Sequence, residues 1–118
     1  MEDRVTAQDE IAAFLSAGYA SEAVHWYQRV LAERGRELAP GHPAIIAARV
    51  NLARALILAG EPADAVTVLD RAVSECEQFR GPGHPDTLSA RDDLASAHQA
   101  AGDVAAAARL LSRNLIDR

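Results

Sequence analysis

Pro40-Gly41-His42-Pro43 returns 42 positions later as Pro82-Gly83-His84-Pro85, and the glycines Gly18, Gly60 and Gly102 keep the same interval. Two independent sets of punctuation residues with one period make the repeat the feature that decides the fold. Laying residues 35–76 on 77–118 extends the match to Ala48/Ala90, Arg49/Arg91, Leu52/Leu94, Ala53/Ala95, Ala55/Ala97, Ala59/Ala101, Ala63/Ala105, Ala65/Ala107, Leu69/Leu111 and Arg71/Arg113. With the punctuation this gives 15 identities in 42 positions. A period of roughly 20–50 residues is the signature of a solenoid or an array, in which each unit buries its apolar face against its neighbours.

Each period holds two helices. Between Pro43 and Ala59 the apolar residues Ile45, Ala48, Leu52, Ala53, Leu56 and Ala59 recur at steps of three and four, which places them on one helical face. Gly60 ends that helix, because glycine tolerates the left-handed turn a helix needs to stop. Pro62 restarts the chain, since a proline in the first turn gives up no hydrogen bond. The second helix runs to about Phe79, with Ala65, Val66, Leu69, Ala72, Val73 and Cys76 inward, and Pro82 to Pro85 breaks it. The third unit repeats this around Gly102, and the first places helices at about residues 3–17 and 20–38. The reading is an all-α single domain over residues 1–118, with six helices in three helix-turn-helix repeats at about 1–38, 43–80 and 85–118. Composition agrees: there are 26 alanines, five aromatic residues and twelve arginines with no lysine. Alanine is the best helix former, and the strand-forming types are scarce.

The same numbers exclude several functions. At 49% hydrophobic and 25% charged the chain has the composition of a globular domain rather than a disordered one. A net charge of −5 argues against nucleic acid or an acidic membrane as partner. No apolar run reaches the roughly 20 residues that span a bilayer. The opening Met1-Glu2-Asp3-Arg4-Val5 is acidic and is not a secretory signal. Cys76 stands alone, so no internal disulfide forms, and a reducing, cytoplasmic setting is expected. The lysine-free basic set matches the codon usage of a GC-rich genome.

Leu52-Ala53, followed by Leu56, Gly60, Ala65, Leu69 and Ala72, resembles the tetratricopeptide repeat (TPR) pattern of alternating large and small residues. The usual tetratricopeptide period is shorter, about 34 residues. The longer period and the Gly83-His84-Pro85-Asp86-Thr87-Leu88 junction are similar to the kinesin-light-chain type, which is also frequent in bacterial multidomain regulators. The resemblance implies a right-handed α-solenoid whose first helices line a concave groove. It further implies a non-enzymatic module that binds a peptide or helix of a partner protein. The chain departs from the pattern in three places. Glu10 and Ile11 replace the Leu-Ala pair in the first unit, His98 takes the large apolar position held by Leu56 and Phe14, and the stretch from Val104 to Ala108 is thin. Beyond Arg118 a further junction and helix are expected, so the end of the solenoid either continues in a longer array or is covered by something else.

Family members often place a groove asparagine just before the Leu-Ala pair. Carried over, that position is Asn51 in the middle unit, Asp93 in the third and Asp9 in the first. An amide both donates and accepts, which suits a peptide backbone. Its groove neighbours are Gln8, Val50, Arg54, Asp92, Ser96 and Gln99. The alternative is that these are solvated positions on an amphipathic helix. Because Asp9, Asp92 and Asp93 surround Arg54, a basic or hydrogen-bonding partner fits better than an acidic one. A second functional reading is self-assembly, or docking within a larger protein, through the terminal helix faces.

His42 and His84 recur with the junction and read as local structural residues, since no further ligands cluster with them to hold a metal. His98 reads as a partly buried core residue, Cys76 as inert packing, Tyr27 as core, and Trp26 as core or as an exposed binding anchor, core being favoured. No phosphate loop, nucleophile elbow or metal motif is present, so no enzyme, cofactor or metal is expected.

Overall fold

A computed structural model describes residues 19–118 of the 118-residue chain. The described residues form five helices: α1 (Ala20–Glu37), α2 (Pro43–Leu58), α3 (Pro62–Arg80), α4 (Pro85–Ala100) and α5 (Val104–Asp117). The expected helix at 3–17, and with it the six-helix count, lies outside the described residues. The other five expected helices are present with ends shifted by a residue or so.

The punctuation works as local chemistry predicts. Gly60 and Gly102 adopt φ of +82° and +88°, in the region that favours glycine. Around them the Glu61 amide reaches back to the Leu56 carbonyl and the Asp103 amide to the His98 carbonyl, both at 2.8 Å. Two otherwise orphaned helix-end carbonyls are thereby satisfied. At the other junctions, Pro43 and Pro85 open α2 and α4, and the preceding histidines cap them. His42 Nδ1 accepts from the Ala44 amide and His84 Nδ1 from the Asp86 amide, each at 3.0 Å. The role of the recurring histidines is therefore structural, as a helix N-cap.

Each helix packs chiefly on the next in the chain, and α2 also meets α4. Contacts confined to neighbours are what a repeat array requires. The core gathers Leu52, Leu56, Leu69 and Leu94 around Ala53, Ala55, Ala65, Ala72 and Ala97. Each buried leucine contributes about 1.5–3 kcal/mol. The alanines are at most 1% exposed, because helix backbones pass too close there for a larger side chain. Tyr27 packs partly buried against this core, as expected.

Trp26 corrects the sequence reading: it is 55% exposed. The cause is helical phase. Ala20, Val24, Tyr27 and Leu31 carry the packed stripe of α1 at steps of four, three and four, and Trp26 lies about 100° around the helix from Tyr27. Its repeat equivalents Val68 and Leu110 are only partly buried against the core.

Candidate functional site

The first helices of two successive units, α2 and α4, face one another across a shallow groove of about 190 Å³. Pro43, Ile46, Ala47 and Val50 form one wall; Ser89, Ala90 and Asp93 form the other. The phase of each helix follows from the core. Leu52, Leu56 and Leu94 must point inward, so residues on the adjacent strip border the gap. The volume falls below the roughly 300–1,000 Å³ of small-molecule pockets. It accommodates a side chain of a longer ligand rather than a whole metabolite.

Polar groups gather along the rim. Arg54 reaches from α2 to within 3.8 Å of Asp93 on α4, with side-chain exposures of 61% and 28%. Burial raises the Asp93 carboxyl above its ordinary range, the Arg54 guanidinium opposes the shift, and neighbouring Asp92 adds to it. This Arg54–Asp93 pair is the feature that joins both groove walls electrostatically.

The sequence-predicted residues divide on this geometry. Val50 and Asp93 line the groove, Arg54 lies at its edge, Asn51 is half-buried on α2, and Ser96 and Gln99 are exposed on α4. Asp92 is not brought into the groove. The Asn114 amide donates to its carboxylate at 2.8 Å, which holds Asp92 toward α5. Gln8 and Asp9 lie outside the described residues. His98 is 19% exposed, with Nδ1 4.0 Å from Asp103. Cys76 is 1% exposed, and burial raises its thiol pKa, which keeps it protonated and unreactive.

Sequence reasoning missed the buried ionic network behind the groove. Arg91 is 1% exposed and donates to Glu77 of α3 at 2.8 Å and to Asp117 of α5 at 2.7 Å. Burial works against its charge, but the hydrogen bonds to Glu77 and Asp117 outweigh it and raise its pKa. One unit earlier, Arg49 pairs with Glu75 at 3.3 Å, so the α4–α5 bridge repeats the α2–α3 bridge at the same 42-residue interval. The signal was the Arg49/Arg91 identity, whose partners at Glu75 and Asp117 are alike in charge but not in name.

Among the described residues no helix is long and apolar enough to cross a membrane, and no group of three or more potential metal ligands assembles.

The tetratricopeptide repeat family model matches residues 45–113. Among solved structures, the kinesin light chain nearly identical TPR-like repeats of Podosopora anserina superpose with a TM-score of 0.81 at 32% identity. That match covers 99% of this chain and 57% of the other. A variant of the same protein gives a TM-score of 0.81 at 31% identity, with the same coverage of 99% and 57%. The chain thus spans little more than half the length of the structures it resembles. No curated protein matches it.

Proposed function

The chain belongs to the tetratricopeptide repeat family, and on that premise we propose that it is a non-enzymatic interaction module that takes a peptide or helix of a partner protein in the groove between α2 and α4. Tetratricopeptide repeats are in general protein-interaction modules, and fold alone does not name the partner. The observation that carries the groove reading is the Arg54–Asp93 pair spanning an apolar floor of Ile46, Ala47 and Val50. Apolar contact supplies affinity there, and a rim that both donates and accepts supplies orientation. The half-buried Asp93 carboxylate and the net charge of −5 favour a partner with basic or hydrogen-bonding side chains. In this reading Asn51 bonds the partner's main chain, Ser96 extends the contact, and a first helix at 3–17 carrying Gln8 and Asp9 completes a right-handed array of three repeats. The setting is cytoplasmic.

The test uses partners captured by the intact chain and Asn51→Ala with Arg54→Ala. We expect the double variant to lose capture by about tenfold or more while circular dichroism stays unchanged. Unaltered capture sinks the groove reading, as does tighter binding of an acidic peptide than of its basic counterpart.

A further inference from the structure

The second helix of every unit carries an apolar stripe at steps of four and three. In α1 it runs through Ala20, Val24, Tyr27 and Leu31; in α3 through Pro62, Val66, Leu69, Val73 and Cys76; in α5 through Val104, Ala108, Leu111 and Leu115. In the first two the stripe is covered by the following helix, α2 or α4. Leu69 and Val73 are 2% and 7% exposed, whereas their equivalents Leu111 and Leu115 are 43% and 74% exposed, and Val104 is 67% exposed. A contiguous apolar stripe of this kind on a soluble surface marks an interaction site.

We propose that this stripe of α5 docks against the same stripe of a second copy of the chain, with the two helices antiparallel across a twofold axis. The register follows from the residues. Antiparallel pairing that sets Val104 against Leu115 of the partner subunit also sets Ala108 against the partner's Leu111, and each pairing recurs in the opposite sense. The same patch is then self-complementary, as an isologous interface requires. Small Ala108 faces large Leu111, the arrangement that lets knobs fill holes on a seam with steps of three and four. Charge agrees: exposed Asp103 flanks one end of the stripe and exposed Arg118 the other. Reversing one helix against its twin brings the acidic end of each to the basic end of the other. A parallel pairing sets like charges together.

The helix has 14 residues and is about 21 Å long. An interface of that length falls short of the roughly 800 Å² per partner of standard stable complexes. The dimer is therefore concentration-dependent. It uses a different face from the peptide groove and stands or falls separately from it.

Sedimentation equilibrium on the full chain over a wide concentration range is the direct test, with Leu115→Glu as its control. The expected result is a reversible monomer–dimer equilibrium that weakens by about tenfold or more in Leu115→Glu. Because Leu115 is exposed, the variant folds, as unchanged helicity will verify. Orientation is read by mixing Val104→Cys with Leu115→Cys chains under mild oxidation, where cross-linked dimers form in the mixture and not in either variant alone. A wild-type chain that stays monomeric at the highest concentration, a dimer indifferent to Leu115→Glu, or cross-linking by each variant with itself overturns the proposal.

Discussion

Arg91 shows how much one side chain can bind together in an alanine-rich fold. Its guanidinium has fixed, bidentate geometry, and it spends that geometry on Glu77, Asp117 and the Asn114 carbonyl oxygen. Replacing it by methionine keeps the apolar stem but strands the acceptors. Glu77 is 43% exposed and can be rehydrated, so the cost belongs at the low end of the range for broken buried pairs, about 3 kcal/mol. Urea unfolding of Arg91→Met measures this, and a loss below about 1 kcal/mol contradicts the account. Asp93 acts in the opposite sense. Its folded pKa is raised chiefly by burial, so its contribution to stability is present below the ordinary carboxylate pKa and is lost as pH rises through the raised value. Asp93→Asn is therefore expected to raise the melting temperature at neutral pH and to leave it unchanged in acid. A gain of equal size at both pH values refutes that cause.

At the scale of the helices, their ends were the most legible part of the sequence. Gly60, Pro62, the Pro-Gly-His-Pro junctions and Gly102 each carry a backbone constraint that needs no knowledge of neighbours, and all fall where expected. What could not be read was which flank of a helix a polar residue occupies. Asp92 and Asp93 are adjacent and identical, yet one meets Asn114 of α5 and the other lines the groove, a difference set by where α5 packs. Trp26 failed for a related reason, since equivalence to Val68 transfers a position but not its depth. The junction glycines also differ in what surrounds them. Gly41 and Gly60 share a φ of about +80°, but a Cβ on Gly41 would lie 2.5 Å from Cδ2 and 3.2 Å from Cβ of Phe79, while Gly60 has open space. Gly60→Ala isolates the backbone strain of about 1–2 kcal/mol. Gly41→Ala is expected to cost more, because the Phe79 ring must shift as well. Equal melting temperatures for the two variants argue against the Phe79 contact.

For the molecule as a whole, the period conveyed the architecture before any helix was assigned, because a unit that recurs must also stack. Only the partners of that stacking needed coordinates. The repeated arginine bridges have a mechanical consequence. Glu77, Arg91 and Asp117 tie three successive helices on the side of α4 away from the groove, and a guanidinium held by carboxylates on two helices has almost no slack. Any change of pitch that widened the space between α2 and α4 would have to stretch or break charged hydrogen bonds at the back of the molecule. The bridge acts as a gauge block: the aperture offered to a ligand at the front is set by the length of one arginine behind it.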